Sequence, residues 1–224
     1  MGVEIQTSLT PAAVHLSAEK EVQTVTCWGY DGQTMTHIDC KQVLLACGPW
    51  TPSIYETLFP TSRLRLQWIT DAGDWILCKN PCPSTKNTTA VVSFAHLVGE
   101  KLEFAALNDG TIWGCGRRNH YAPLPPPGHA EEPDEALVAE LSAHAQRWLD
   151  WSCHCTEEHA GMVQVVKKSN TGSDTVKRSS GFFVCWGHGL FGLTLGMGNG
   201  RLTSQLMSGE EPDIDLTPFS LYED

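Results

Sequence analysis

The chain has 224 residues, of which 41% are hydrophobic and 18% charged, and its 15 Lys+Arg against 26 Asp+Glu give a formal net charge of −11 with His neutral. This composition is that of a folded globular chain able to bury a core, which excludes collagen-like and wholly disordered proteins. No apolar run approaches the ~18 residues of a membrane span, and so acidic a surface repels a phosphate backbone. The sequence therefore predicts no membrane span and no nucleic-acid partner.

The first 60 residues are predicted to be mostly β-structure. Val22 to Trp28 is rich in residues that favour strands, Asp31-Gly32 is a tight-turn dipeptide, and Met35 to Cys40 would be the returning strand. The apolar run Val43 to Cys47 ends at Gly48-Pro49. A short run that is apolar at every position is typical of a parallel strand buried on both faces.

Residues 61–150 continue the β-pattern and end in a helix. The candidate strands share apolar and β-branched character, and they are Trp75 to Cys78, Ala90 to Ala95, Leu102 to Ala106 and, after the turn Asn108-Asp109-Gly110, Thr111 to Cys115. A helix is predicted from Asp134, because an acidic cap precedes apolar residues at a 3.6-residue period. Those residues are Leu137, Leu141, Ala145, Trp148 and Leu149.

The last third of the chain contains its clearest unit. Residues 152–180 carry little periodicity and are predicted to form a loop. Phe182 to Trp186 would be a short buried strand, and a helix is predicted from about Arg201 to Met207, ended by Gly209. We expect this strand to be the neighbour of Val43 to Cys47 in one sheet, because both are apolar on each face and both end in glycine.

The segment Gly187-His188-Gly189-Leu190-Phe191-Gly192 is a literal G-x-G-x-x-G directly after a strand. A dinucleotide-binding unit needs a further parallel strand with an acid at its end, and the acidic residues that follow do not supply one. Two interpretations stay open. The glycines allow close backbone packing, or a strand, turn and helix direct backbone N–H groups at an anionic or electron-rich ligand. We expect Gly192→Val to disrupt the turn through backbone strain.

Nine cysteines, an odd number, occur without a visible signal peptide, which predicts reduced thiols and a cytoplasmic location. A zinc site could be drawn from Cys78 and Cys82 with Cys153-His154-Cys155 and His159. Their spacing departs from the matched knuckles of structural zinc sites, so no metal is predicted.

The stretch Gly181 to Gly196, GFFVCWGHGLFGLTLG, resembles the C-terminal flavin-binding motif of the D-amino acid oxidase-like FAD-dependent oxidoreductases. That motif is a strand, a G-H-G/S-x-x-G-(I/L)-T turn and a helix. Val43 to Trp50 is similar to the family's V-L-A-A-G-x-W strand and turn. Leu107 to Gly116 is similar to its D-G-T-(I/V)-(W/Y)-x-(C/G)-G hairpin, and Glu211 to Phe219 is similar to its closing acidic segment. The matches follow the order of the family's C-terminal portion.

The resemblance implies a mixed α/β fold, in which a partial FAD-binding sheet carries an inserted antiparallel substrate domain. Residues 1–60 would form part of the FAD-binding domain and 61–150 an antiparallel sheet with a helix, like the substrate domain. Residues 151–180 would be a loop, and 181–224 the C-terminal flavin-binding strand, turn and helix with an acidic tail.

The resemblance also implies FAD as the cofactor. Ala12 would approach the adenine end of FAD. Gly48 and Trp50, at the end of the sheet strand, would lie against the cofactor. The residues beside the flavin ring would be Gly187, His188, Gly189 and Leu190. The next helix would begin there, and its first N–H groups, those of Gly192, Leu193 and Thr194, would face the pyrimidine oxygen.

No catalytic residue is assigned. His188 is interpreted as a packing or capping side chain in preference to a catalytic base, because the turn acts through its backbone. Arg117 and Arg118 could hold a substrate carboxylate, but adjacent residues on a strand face opposite sides, so at most one of them could do so.

The sequence departs from the family in two places. The family begins with a strand and a G-x-G-x-x-G that holds the FAD pyrophosphate, whereas this sequence begins at Gly2-Val3-Glu4-Ile5, which resembles a hairpin inside the fold. An Arg-Pro followed by P-x-x-G-x-P usually precedes the last strand, and Val163 to Ser179 has no Arg-Pro. We therefore expect this chain alone to hold FAD weakly, since the pyrophosphate and ribose contacts supply most of the affinity.

These observations predict a truncated FAD-dependent oxidoreductase that oxidises a C–H bond next to an amine or similar group by hydride transfer to flavin. Its substrate would be a small amine or amino-acid-like molecule. The alternative is a catalytically inactive family member that acts as a binding or interaction protein without bound FAD. Flavin absorbance and size-exclusion behaviour would distinguish the two, and the sequence does not indicate an oligomeric state.

Overall fold

The computed structural model describes residues 2–66, 69–80, 90–95, 101–119, 122–127, 129, 132–148, 160–167, 174–175 and 181–217. Helices and strands occur together, with several sheets, as in an α/β FAD-dependent oxidoreductase fold. The chain divides into two compact units, a first made of Met1–Ile69 with Val166–Asp224 and a second made of Thr70–Val165.

The strands, in chain order, are β1 (Leu9–Leu16), β2 (Val22–Gly29), β3 (Met35–Asp39), β4 (Val43–Leu45), β5 (Ile69–Lys79), β6 (Ala90–Ala95), β7 (Lys101–Ala106), β8 (Thr111–Asn119), β9 (Ala160–Lys167), β10 (Asp174–Thr175) and β11 (Phe182–Trp186). The helices are α1 (Thr51–Leu58), α2 (Glu135–Trp148) and α3 (Gly192–Ser208), with 3-10 turns at Gly48–Trp50 and Gly189–Phe191. Among the described helices, none has both the length and the apolar content needed to cross a bilayer.

In the first unit, β1, β2 and β3 form an antiparallel sheet in that order. The predicted turn between β2 and β3 is confirmed: the Asp31 carboxylate accepts hydrogen bonds from the N–H groups of Gln33 at 3.0 Å and Thr34 at 2.9 Å, and Gly32 has a φ of 64°. A short side chain that binds its own turn explains why Asp-Gly is effective here.

A second sheet of the same unit has the order β10-β11-β4. β11 and β4 are parallel, with Phe182 opposite Val43 and Val184 opposite Leu45, which confirms that the two apolar runs are neighbours. The expectation that β4 runs to Cys47 and is buried on both faces is wrong. It ends at Leu45, and Leu44 is 39% exposed, because β4 is the edge strand of this sheet.

Helix α1 follows β4 and was not predicted from the sequence. Pro52 lies in its first turn, where a missing N–H costs nothing, and Ile54, Tyr55 and Leu58 form its buried stripe. This stripe packs against the parallel sheet in one core cluster, and the Phe182 ring contacts Phe59 edge to face at 4.7 Å between centroids. The core of the first unit therefore lies directly beneath β11.

The second unit contains a five-stranded sheet of order β6-β7-β8-β5-β9. The predicted strands are all present, although β5 and β8 extend further than expected, and Asp109 closes the predicted hairpin by accepting the N–H of Thr111 at 2.9 Å. Helix α2 is confirmed: the Asp134 carboxylate accepts the N–H groups of Ala136 and Leu137. Leu141 and Ala145 are fully buried against one face of the sheet.

Two elements correct the sequence interpretation of the last third. Residues 152–180 are not a continuous loop, because the described part of this segment contains β9 and β10. Helix α3 begins at Gly192, nine residues before the predicted start at Arg201, and ends at the predicted Gly209, whose φ is 76°. Because glycine has a low helix propensity, the four glycines in residues 192–200 gave no sequence signal for the first half of α3. Cys82, Cys153 to Cys155 and His159 lie outside the described residues.

Candidate functional site

Two chain segments emerge from the same edge of the parallel sheet. Because β4 and β11 run in the same direction, their carboxyl ends share one edge. The 3-10 turn Gly48–Trp50 follows β4 there, and the turn from Gly187 to Phe191 follows β11. The crevice outside the carboxyl ends of parallel strands is the usual place for a ligand in α/β sheets. The structure thus brings together two of the three predicted contact segments.

Three glycines at this edge have left-handed backbone conformations: φ is 54° at Gly48, 87° at Gly187 and 57° at Gly189. Residues with a Cβ atom rarely adopt these angles, so the turns depend on glycine. Gly192 is different. Its φ is −54°, and no described atom beyond its chain neighbours and its own helical turn lies within 4 Å of the position that a Cβ would occupy. The expected strain at Gly192→Val is therefore wrong, because this residue is the ordinary first residue of a helix.

The first turn of α3 is open on its N-terminal side. Its capping residue, Phe191, makes no side-chain capping bond, and the described first turn contains no acid. Leu193 is 99% exposed and Thr194 is also exposed. The first N–H groups of a helix have no partner within the helix and carry its positive dipole end. This helix start can bind a negatively charged or electron-rich group.

The other half of α3 is fixed to the sheet. Thr203 is buried, and the Gln42 amide donates a hydrogen bond to the carbonyl of Met207 at 2.7 Å. The Glu210 N–H also caps the helix through the carbonyl of Gln205. The C-terminal half therefore holds the open N-terminal half in place.

His188 lies at the start of the second 3-10 turn and is half-buried. Its Nε2 atom is 3.8 Å from the Sγ atom of Cys185, and burial lowers the pKa of the imidazole. Burial raises the pKa of the Cys185 thiol, although a hydrogen bond with Thr203 acts in the opposite direction. At neutral pH both groups are uncharged, so this pair connects strand, turn and helix without adding charge to the turn.

The remaining predicted contacts lie in three different environments. Ala12 is half-buried in β1, at a register irregularity between Pro11 and Ala13, and belongs to the other sheet of this unit. Trp50 is half-buried and packs against the core beneath β11. Leu190 lies within the turn, but its side chain is outside the described part. The roles of all these residues stay predictions.

One polar group near the site was missed in the sequence. Thr51, the first residue of α1, is fully buried, and its hydroxyl has no hydrogen-bond partner among the described atoms. A buried hydroxyl without a partner is costly and commonly marks a place for a ligand or an ordered water. The Thr-Pro pair directly after Gly48-Pro49-Trp50 was the available signal, since it is typical of a helix start.

Arg117 and Arg118 lie in β8, in the second unit, where Arg118 is opposite Gly73. Their side chains are outside the described part. The prediction that at most one of them binds a carboxylate is untested.

The family model for FAD dependent oxidoreductases, DAO, matches residues 7–206. The chain belongs to this family. A comparison with curated proteins finds no match. The family membership confirms the resemblance on which the FAD prediction rests.

Solved structures with the same fold have low sequence identity to this chain. Iminodiacetate oxidase from Chelativorans sp. BNC1 matches with a TM-score of 0.68 and 17% identity, over 93% of this chain and 51% of that chain. Glycine oxidase from Geobacillus kaustophilus gives 0.70 and 16%, over 96% and 52%. L-amino acid deaminase from Proteus myxofaciens, in complex with anthranilate, gives 0.71 and 12%, over 96% and 56%.

The chain spans about half the length of these solved structures. At this level of identity the likeness shows the fold alone. It confirms the α/β FAD-oxidoreductase architecture of the described residues.

Proposed function

We propose that this chain forms the flavin-ring and substrate portion of an FAD-dependent oxidoreductase that oxidises a C–H bond next to an amine. The observation that carries the proposal is the shared edge of β4 and β11, where Gly48 and the turn from Gly187 to Phe191 come together. Family membership supports FAD as the cofactor. The names of the iminodiacetate oxidase, glycine oxidase and amino acid deaminase structures support an amino-acid-like substrate.

The residues at this edge fit a flat, electron-rich ring. No described atom lies within 4 Å of a Cβ built on Gly48 or Gly192, so a planar group could approach the backbone at both positions. The uncapped first turn of α3 offers N–H groups from Gly192, Leu193 and Thr194. Glycine in such places allows a ligand to approach more closely than any side chain would.

FAD, when bound, would supply the hydride acceptor, and the protein would supply position and electrostatic field. The N–H groups at the start of α3 would stabilise negative charge on the pyrimidine side of the ring. Because partial burial lowers the pKa of the half-buried His188 and keeps it neutral at pH 7, the stabilisation would come from the backbone and not from an imidazolium. Cys185 and Thr203 would hold the turn in register with the helix.

The test exploits the open space at Gly192. Gly192→Leu places a large side chain where the ring would lie, without a clash inside the protein, while Gly200→Leu makes the same change two turns further along α3. Each protein is titrated with FAD and followed by flavin fluorescence and absorbance. Neither variant should lower the melting temperature, because leucine favours a helix more than glycine does.

We expect Gly192→Leu to weaken FAD binding roughly tenfold or more, since an extra side chain in a close contact is strongly unfavourable. Gly200→Leu should bind FAD like the unaltered chain. Equal binding by the two variants would overturn the proposed site. No FAD binding by the unaltered chain at any concentration would overturn the proposed function.

A second candidate function, a catalytically inactive binding protein, is favoured by one observation. The first half of α3 exposes several large apolar side chains, including Leu193 and Met197, the latter 87% exposed. Exposed apolar clusters commonly mark a surface that is covered by a partner. A colourless protein that elutes as a complex in size-exclusion chromatography, and binds no FAD in the titration above, would favour this function instead.

A further inference from the structure

The five-stranded sheet of the second unit has two chemically different faces. One face packs against α2 and is built from apolar side chains, among them Ile76, Phe104 and Ile112. Because side chains alternate along a strand, the residues between these point to the other face. On β5, β7 and β8 that outer face includes Trp75, Glu103, Ala105, Trp113 and Cys115.

The register of the strands places four of these residues in one compact patch. Glu103 is directly opposite Cys115, and Cys115 is directly opposite Trp75. Trp113 precedes Cys115 by two residues, so it lies on the same face and is a diagonal neighbour of both Glu103 and Trp75. Diagonal neighbours on antiparallel strands are about 7–8 Å apart, within reach of aromatic and long side chains. We call Glu103, Cys115, Trp75 and Trp113 the outer-face patch.

The side chains of the outer-face patch are half-buried, and none of them belongs to the core formed with α2. The Ser93 hydroxyl donates a long hydrogen bond of 3.4 Å to the Glu103 carboxylate. One carboxylate is therefore a diagonal neighbour of the Trp113 indole, and the Trp75 indole lies on the same face two strands away, with Trp113 as a diagonal neighbour of both. A purely structural sheet face would more commonly alternate small polar and charged residues toward water.

We propose that the outer-face patch binds a small organic cation, with the ammonium group at Glu103 and the adjoining carbon atoms against Trp75 and Trp113. Indole is the aromatic group that attracts cations most strongly. A carboxylate adds a charge-assisted hydrogen bond to an N–H donor. The net charge of −11 further favours a cationic over an anionic ligand. That this cation is the substrate's amine rests on the proposed function, whereas the binding itself does not.

Three probes of the same shape and different charge test the patch: benzylammonium, benzyl alcohol and benzoate, at pH 7 and constant ionic strength. Binding to the full chain is measured by a ligand-observed NMR titration without FAD. Glu103→Gln removes the charge and keeps the shape, and Trp113→Leu removes the central indole. The controls are Glu21→Gln, an exposed acid in the first unit, and Trp28→Leu, an exposed indole on β2.

We expect benzylammonium to bind, and both patch variants to weaken its binding by roughly three- to tenfold. Benzyl alcohol and benzoate should bind more weakly, and the two controls should leave benzylammonium binding unchanged. Far-UV circular dichroism checks that each variant is folded. If Trp113→Leu does not fold, Glu103→Gln alone decides the result.

Equal binding of the three probes, preferential binding of benzoate, or no effect of Glu103→Gln would overturn the proposal. Because FAD is absent from the titration, its outcome is independent of the flavin experiment. A chain that binds benzylammonium but not FAD would keep this site and remove the proposed oxidoreductase function. A chain that binds FAD but not benzylammonium would remove this site and keep the proposed oxidoreductase function.

Discussion

Glycines in two regions of this molecule have opposite surroundings. In or beside the sheets, a Cβ built on Gly114 of β8 would lie 3.0 Å from the Phe104 ring, and one built on Gly181, directly before β11, would overlap the backbone carbonyl of Lys41. In α3, no described atom outside the neighbouring helix backbone lies within 4 Å of such an atom at Gly192, Gly196, Gly198 or Gly200. The sheet glycines are required by packing, whereas the helix glycines border open space.

This difference separates the two interpretations of a glycine-rich segment. Glycine that allows close packing is surrounded by protein atoms, and glycine that makes room for a ligand is not. The turn after β11 also contains positive φ angles at Gly187 and Gly189, so glycine is required there by backbone conformation. The comparison therefore favours a ligand at the start of α3 and close packing at Gly181, where β11 begins beside β4.

The largest expected effect is at Gly181. Its φ is 94°, its carbonyl accepts a hydrogen bond from the Val43 N–H at 2.7 Å, and Lys41 leaves no room for a methyl group. We expect Gly181→Ala to destabilise the chain by about 3 kcal/mol or more, because strain and a backbone clash add. Urea unfolding measures the change.

Gly209→Ala is the matched control for Gly181→Ala. Gly209 has a φ of 76° with no described atom within 4 Å of a Cβ, so alanine there meets strain without a clash. Its cost should be about 1 kcal/mol. Equal losses at the two positions would show that the overlap with Lys41 contributes nothing.

A pair of substitutions with opposite expected signs sharpens the same comparison. Gly114→Ala should destabilise the second unit by about 1–3 kcal/mol, since the methyl group must displace the Phe104 ring and crowds Ile76 at 3.3 Å. Gly196→Ala should stabilise α3 by up to about 1 kcal/mol, because alanine is the better helix former and nothing opposes it. Thermal unfolding reports both, and a loss of stability at Gly196→Ala would contradict the open surroundings of α3.

Much of the fold was available in the sequence because its signals are local. The Asp31 and Asp109 turns, the Asp134 cap and the apolar stripe of α2 follow from a few neighbouring residues each. The pairing of β4 with β11, which are far apart in the chain, was predicted from the apolar character that both runs share. Of the candidate site, the sequence predicted the strand followed by a glycine-rich turn, because that is also a local pattern, and the roles of its residues stay predictions.

The features that were missed depend on tertiary contacts. The start of α3 at Gly192 runs against helix propensity and depends on the anchoring of Thr203 and Met207 at its other end. The exposed position of Leu44 depends on which strand is at the sheet edge. The outer-face patch exists only through the register of β5, β7 and β8, and a shift of one residue would turn its side chains to the other face.

The smallest expected effect comes from a comparison of two carboxyl groups, one buried and one exposed. Asp74 on β5 is 2% exposed, and burial raises the pKa of its carboxyl group. A hydrogen bond from the Asp134 N–H lowers this pKa, and the nearby Asp134 charge raises it. Asp213, exposed beyond α3, has its carboxyl pKa lowered by hydrogen bonds from Gln205 and Arg201. An acid with a raised pKa in the folded state binds its proton more tightly there than in the unfolded chain.

The contribution of Asp74 to stability therefore falls as the pH rises from about 4, the ordinary value for an aspartate, through its raised pKa. Asp74→Asn keeps an acceptor for the Asp134 N–H and removes this titration, so the variant should be at least as stable as the unaltered chain at pH 7 and should gain nothing at pH 4. Asp213→Asn is the control in which the pH dependence of stability has the opposite sign. The lowered pKa of Asp213 stabilises the fold above about pH 4, and this stabilisation is lost as the pH falls below about 4 and through the lowered pKa. Urea midpoints measured between about pH 3 and 7 cover both titrations. A variant at position 74 that is less stable at pH 7 than at pH 4, relative to the unaltered chain, would contradict the burial of the Asp74 carboxyl.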